Sequence, residues 1–157
     1  QNIKSKHYYN IVKITITSKR PSEALTMVHE LFFWGMVGLT TEVFFTAIRK
    51  LIFEKKVNLM GHTSLWMFPI YAFGLTYGVE ILTSVIKNDI VRLTTYPIVI
   101  WAVEIAVGYP TAKAGVRIWN YDYLPDNMHW RGIISYAHFP LWIGFGIIVE
   151  ALHKHAG

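Results

Sequence analysis

The chain has 157 residues, of which 53% are hydrophobic and only 16% are charged. Soluble domains usually carry about 25% charged residues, so this composition favours a membrane protein over a soluble domain. The formal net charge of +5 comes from basic residues that flank apolar runs, which favours membrane lipids as partners and argues against nucleic acid. The sequence contains no cysteine, which excludes disulfides, thiolate catalysis and cysteine metal sites.

The apolar segments predict the architecture. Residues 1–23 hold several basic side chains without an apolar core, and we expect them to form a basic N-terminal arm on a membrane surface. Four segments then approach the roughly 20 apolar residues that a spanning helix needs. These segments are residues 24–53, 64–86, 90–108 and 133–152. We therefore predict an all-α membrane protein in which residues 24–157 form one four-transmembrane-helix bundle.

The connections between the segments predict its topology. Residues 87–89 leave room only for a tight hairpin between helices two and three. Residues 109–132 are rich in aromatic residues, proline and asparagine, so we expect an ordered interfacial loop that caps one end of the bundle. With four spans, both termini lie on the same side of the membrane. The basic residues are almost evenly divided between the two sides, and the compact basic arm favours cytoplasmic termini.

Each apolar segment contains a glutamate, and these four carboxyl groups carry the functional prediction. A carboxylate at membrane depth costs roughly 2.5–3.5 kcal/mol on insertion scales, so such residues usually face the protein interior. Glu42 and Glu104 lie deepest, on helix faces that also carry glycine, near the end that the interfacial loop covers. We predict that they form a polar intramembrane site, whereas Glu80 and Glu150 form a secondary cluster at the opposite end.

A buried pair of carboxylates needs a cation or a proton. We expect Arg131 to supply the cation, then Arg117, with His138 as a titratable alternative within the bundle. At least one of Glu42 and Glu104 should therefore contact one of these three residues or a residue of 119–127. The remaining residues predicted for the site are Trp119, Tyr121, Asn127 and His62.

Several runs of the sequence resemble the type-IV ABC-transporter membrane proteins of the CmpB-like family, which includes the transmembrane-protein-229 proteins. The matching runs are Glu42-Val43-Phe44-Phe45-Thr46-Ala47; Gly61-His62-Thr63-Ser64-Leu65-Trp66 with Pro69-Ile70-Tyr71 and Gly74; Trp101 with Glu104 and Gly108; and Trp119-Asn120-Tyr121 with Asn127, Arg131-Gly132 and Trp142. The usual Trp-Asp-Tyr of the family reads Trp-Asn-Tyr here, with Asp122 one position later. The resemblance supports the membrane architecture and the site near Glu42 and Glu104, and it does not specify a reaction.

Two functions remain open at this point. The first is a small polytopic membrane protein that acts as a transporter-like component or as an accessory subunit of a membrane assembly, either as a homo-oligomer or with other membrane subunits. The alternative is an intramembrane enzyme that acts on a lipid or isoprenoid, with Glu42 or Glu104 as general acid or base. The sequence contains no phosphate-binding loop, no nucleophile elbow and no His-Glu-x-x-His motif, so we predict neither a metal site nor a cofactor.

Overall fold

The computed structural model describes residues 21–55 and 57–156, and in this part of the chain it has four helices and one short hairpin. Helix α1 spans Pro21–Glu54. Helix α2 runs from Met67 to Val85 as Met67–Phe73, a π-helical turn at Gly74–Gly78 and Val79–Val85. Helix α3 spans Asp89–Lys113 and helix α4 spans Phe139–Ala156. The structure confirms a mostly helical chain with three helices that could cross a membrane, but the fold is not entirely helical, because the segment between α3 and α4 contains a short hairpin. Most of the basic arm predicted over 1–23 lies outside the described residues.

Helix α1 is much longer than a membrane requires. Its 34 residues extend over about 51 Å, against a hydrocarbon thickness of about 30 Å. The helix ends where Lys55 takes a left-handed backbone conformation, with φ of 53°. The following loop turns back along α1, so Gly61 lies against the backbone of Val43, and the backbone of His62 bonds to the Thr46 hydroxyl at 2.8 and 2.9 Å. The loop therefore enters α2 beside the middle of α1.

The four helices run up and down. Asn88 caps α3 by accepting a hydrogen bond from the backbone of Val91 at 3.1 Å, which closes the predicted tight hairpin between α2 and α3. Buried side chains from all four helices form the central core, namely Trp34, Leu75, Val79, Tyr96 and Val149. Residues 23–52, α2 and α3 are long and apolar enough to cross a membrane. Helix α4 is not among these three, and its last two turns hold Glu150, His153, Lys154 and His155.

The cap between α3 and α4, residues 114–138, differs from the predicted loop at both ends. Helix α3 continues to Lys113, and α4 begins at Phe139 instead of near residue 133. Between them lie a 3-10 turn at Asp126–Met128 and an antiparallel hairpin of β1, His129–Trp130, with β2, Ile134–Ser135. The predicted start of the fourth helix was wrong because a short apolar run such as Ile133–Ile134 suits a buried strand as well as a helix.

Candidate functional site

Glu104 on α3 is the centre of a buried polar layer beneath the cap. Its side chain is only 8% exposed. The Tyr121 hydroxyl of the cap donates a 2.7 Å hydrogen bond to Glu104 Oε1. Tyr121 is itself held in place because its backbone N–H donates to the carbonyl of Gly132. The predicted contact between a deep glutamate and residues 119–127 is therefore present.

The second deep carboxyl group lies nearby. Glu42 on α1 is half-buried, and its Oε2 accepts a hydrogen bond from the Thr63 hydroxyl at 2.9 Å. Tyr71 of α2 packs directly against Gly38, and its hydroxyl lies within electrostatic range of both Glu42 and Glu104. The glycine-bearing face of α1 thus admits the ring of Tyr71.

His138, the last residue of the cap before α4, completes the layer. Its ring is 6% exposed and contacts the rings of Tyr121 and Trp142 at centroid distances of 5.2 and 6.2 Å. Its Nε2 lies 3.3 Å from the hydroxyl of Tyr123. We use the term polar layer for Glu104, Tyr121, His138 and Trp142, which these contacts join, and for Glu42, which has Tyr71 as an electrostatic neighbour in common with Glu104.

Three buried polar atoms of this layer have no hydrogen-bond partner among the described residues. They are Oε2 of Glu104, Nδ1 of His138 and Nε1 of Trp142. Most buried polar atoms in folded proteins are paired, so such atoms require an explanation. All three atoms belong to residues that Tyr121 and His138 join by direct contacts. The layer therefore has the capacity to donate hydrogen bonds to a small polar group and to accept hydrogen bonds from it.

The cations that the sequence suggested for the site are held elsewhere. Arg117 forms an ion pair with Asp122 at 2.6 Å and donates to Asn120 at 3.0 Å. The Arg131 guanidinium lies over the rings of Trp130 and Tyr109, 5.3 and 5.9 Å from their centroids. The prediction that Arg131 or Arg117 neutralises Glu104 was wrong, since the hairpin turn and the local ion pair direct both side chains to the outside of the cap.

A neutral phenol therefore takes the place of the expected cation. Burial, followed by the neighbouring Glu104 carboxyl group, raises the pKa of Tyr121 well above its ordinary value. Its hydroxyl consequently stays protonated and serves as a hydrogen-bond donor throughout the physiological pH range. This arrangement orients Glu104 without giving it a fixed counter-charge.

The other predicted site residues have different surroundings. Trp119 packs over Gly108 and donates its indole N–H to the carbonyl of Ile133 at 2.8 Å, so it anchors the cap and does not enter the layer. Asn127 is exposed in the 3-10 turn, and the side chain of His62 is also exposed. Of the predicted residues, the structure brings together Glu42, Glu104, Tyr121 and His138.

The predicted secondary cluster of Glu80 and Glu150 does not form. Glu80 is exposed on α2, whereas Glu150 is buried and accepts two hydrogen bonds from Arg92, at 2.6 and 2.8 Å. Arg92 also bonds to Asp89 and to the carbonyl of Ile86. This end of the bundle is thus an ion-pair network in which the donors of Arg92 are used.

Sequence reasoning did not assign Thr63 or Tyr71 to the site, although both lie in runs on which the family resemblance rests. It also gave no role to His153. In the structure His153 stacks on Trp34 at 4.0 Å and donates through Nε2 to the carbonyl of Leu75 at 2.8 Å. That carbonyl lies in the π-helical turn, where the regular helical hydrogen-bond pattern is interrupted.

Among residues 21–55 and 57–156, no group of three or more histidine, aspartate or glutamate side chains could hold a metal ion. No family model and no solved structure matches the chain. The resemblance to the CmpB-like proteins therefore stays a prediction. The fold and site define the class as a helical protein with three helices that could cross a membrane and a polar layer enclosed at one end.

Proposed function

We propose that the protein is a four-span, transporter-like membrane component whose polar layer binds the hydrogen-bonding part of a small ligand. The observation that carries this proposal is the set of unpaired, buried polar atoms on Glu104, His138 and Trp142. An unpaired polar group in a buried site costs about 1–3 kcal/mol, so a ligand that satisfies these atoms gains that energy.

The chemistry of the layer selects the class of ligand. Glu104 Oε2 is an acceptor when ionised, and the indole N–H of Trp142 is a donor. The nearby cap arginines are directed away from the layer, which disfavours an anionic ligand there. A small molecule with an ammonium or hydroxyl group fits best, since it donates to Glu104 and can accept from Trp142. The family resemblance supports the transporter-like part of this proposal.

The binding proposal can be tested with two matched carboxyl-to-amide variants. Glu104→Gln changes the buried carboxyl group, and Glu80→Gln changes an exposed one on α2. A panel of small amines and polyols is screened against the purified full chain by thermal shift. A ligand should raise the melting temperature of the native chain and of the Glu80 variant, and much less that of the Glu104 variant. A panel without any such ligand, or equal shifts for all three chains, would contradict the proposal.

The four-span part rests on the packing of α4. Its buried residues join a core built from all four helices, and Glu150 pairs with Arg92 of α3. Because the chain contains no cysteine, single cysteines can report its topology. With four spans, cysteines at Lys87 and Lys154 should be labelled from one side and a cysteine at Asp126 from the other. Labelling of Lys154 and Asp126 positions from the same side would refute the fourth span, and the experiment also tests cytoplasmic termini.

Assembly with a second copy or with other membrane subunits is part of the same proposal. It is supported by the small size of the bundle and by extensive exposed apolar surface on α1, including Phe32 and Phe44. The mass of the purified protein in lipid nanodiscs tests it. A monomer without any co-purifying subunit would contradict it.

An intramembrane enzyme is the second candidate, because Glu104 and His138 place two acid–base groups in one buried layer. The enzyme and the binding protein can be distinguished by a comparison of lipid compositions. Cells that carry the native chain are compared with cells that carry the Glu104→Gln variant. Conversion of a lipid or isoprenoid species that depends on Glu104 would favour the enzyme. Identical lipid compositions would reject it.

A further inference from the structure

A basic cleft lies on the outside of the cap, separate from the polar layer. It occupies about 180 Å³ between the C-terminal end of α3 and the turn of the β1–β2 hairpin. Its lining consists of Tyr109, Ala112, Lys113, Arg117, Arg131 and Ile133. Three of these six side chains are cationic, and the nearby carboxylate of Asp122 pairs with only one of them, Arg117.

The backbone of the hairpin turn is unusual at Arg131. Arg131 and Gly132 have φ angles of 53° and 65°, and Ile133 N–H donates to the carbonyl of Trp130 at 2.9 Å. Residues 131–133 join the two strands, and the β-turn within this loop has positive φ at both of its central residues. Such a turn favours asparagine followed by glycine. An arginine there is strained, and such strain is often found at functional positions. The turn places Arg131 in the lining of the cleft.

Two cations converge on one aromatic ring in the cleft. The Lys113 ammonium group lies 4.8 Å and the Arg131 guanidinium 5.9 Å from the centre of the Tyr109 ring. The ring attracts each cation, whereas two like charges that lie against the same ring repel each other. A multivalent anion between them would remove that repulsion, and arginine matches the geometry of phosphate oxygens with two parallel hydrogen bonds.

We propose that this cleft binds a phosphate group, held by Lys113 and Arg131 with Arg117 at its edge. The cleft lies where the cap meets the end of α3, and Trp130 of the cap and Tyr109 of α3 are aromatic residues of the kind found at membrane interfaces. The phosphate can therefore be that of an anionic lipid headgroup or a free phosphate ester. The site does not depend on the function proposed for the polar layer, because none of its residues belongs to that layer.

The most informative variant is Arg131→Asn. Asparagine is the preferred residue for this turn position, so the thermal midpoint should stay the same or rise, while phosphate binding should fall at least tenfold. A residue that only stabilises the turn would show the opposite pattern. Lys113→Gln should also weaken binding, and Lys154→Gln, which removes an exposed lysine from the far end of α4, is its matched control.

Binding is measured on the full chain in detergent by native mass spectrometry with phosphatidic acid, and by calorimetry with inorganic phosphate. Retention of phosphatidic acid but not of phosphatidylcholine identifies a lipid headgroup site, whereas binding of inorganic phosphate alone identifies a site for soluble phosphate esters. Absence of binding in both measurements overturns the proposal. Equal losses in the Lys113 and Lys154 variants, or full binding by the Arg131 variant, overturn it as well.

Discussion

Removal of the Tyr121 hydroxyl should measure how strongly the cap is joined to the buried carboxyl group. Tyr121→Phe deletes the 2.7 Å donor to Glu104 and leaves the carboxyl group buried without it. A hydrogen bond contributes about 1 kcal/mol net, and an unsatisfied buried group costs about 1–3 kcal/mol. Hydrogen bonds in a membrane bundle average about 0.6 kcal/mol and reach about 1.7. We therefore expect the variant to lose about 1.5 kcal/mol of unfolding free energy.

A double-mutant cycle measures the energy of the Tyr121–Glu104 hydrogen bond separately from the other effects of each substitution. Glu104→Met replaces the carboxyl group by an apolar side chain of similar length and should cost about 2 kcal/mol, because the Tyr121 hydroxyl then lacks its acceptor. The double variant should cost much less than the sum, with a coupling energy of about 1.5 kcal/mol. Unfolding by dodecyl sulfate in mixed micelles, followed by circular dichroism, measures all four chains.

The control for this cycle is Tyr136→Phe, which removes the hydroxyl of a cap tyrosine that is 44% exposed. It should change the unfolding free energy by less than about 0.5 kcal/mol, as surface substitutions usually do. Equal effects of the two tyrosine variants, or a coupling energy near zero, would show that the bond between cap and carboxyl group does not hold the layer together.

Three further predictions use the same unfolding measurement or amide exchange. Gly38→Ala should destabilise the protein by about 1–3 kcal/mol, because the added Cβ would overlap the ring of Tyr71. Gly78→Ala should be neutral or stabilising by up to about 1 kcal/mol, because the added Cβ would meet no other helix or side chain of the described residues within 4 Å. Equal effects of the two variants would contradict the close approach of α1 and α2. Desolvation raises the pKa of Asp122, but hydrogen bonding with Arg117 and Asn120 outweighs it and holds this pKa below its ordinary value. The cap should therefore lose stability as the pH falls below the unfolded pKa of about 3.9 and through the lower folded pKa. Asp122→Asn should remove this part of the pH dependence of amide exchange in the cap. His153→Phe keeps an aromatic ring for stacking but leaves the Leu75 carbonyl without its donor, and it should cost about 1 kcal/mol; an unchanged stability would mean that the π-helical turn needs no such donor.

The helix faces could be predicted from the sequence because they follow from helical spacing alone. Glycine and glutamate recur on one face of α1, and the structure buries that face against Tyr71. The partners of the buried charges could not be predicted in the same way. Whether Arg131 points toward Glu104 or away depends on the two positive φ angles of the hairpin turn, and arginine followed by glycine is not a common signal for such a turn.

The contacts of the π-helical turn in α2 also could not be predicted from the sequence. Its sequence, Gly74–Gly78, contains a small-xxx-small spacing that favours close contact between helices. In the structure a Cβ added at either glycine would meet no other helix or side chain within 4 Å in the described chain. The turn instead presents the Leu75 carbonyl to His153, which is 78 residues away. Such a pairing has no local signal, since it depends on how α4 packs against α2.

The two buried glutamates of α3 and α4, Glu104 and Glu150, differ in how many of their carboxylate oxygens are hydrogen-bonded. Both oxygens of Glu150 accept hydrogen bonds from Arg92, so this carboxylate is satisfied and its role is to join α4 to α3. Glu104 is equally buried, yet it receives one donor from a neutral phenol and keeps its second oxygen unpaired. The same chain therefore pairs both oxygens of one buried carboxylate and only one oxygen of the other. The incomplete pairing of Glu104, next to the unpaired nitrogens of His138 and Trp142, supports the proposal that the polar layer at the capped end of the bundle binds a ligand.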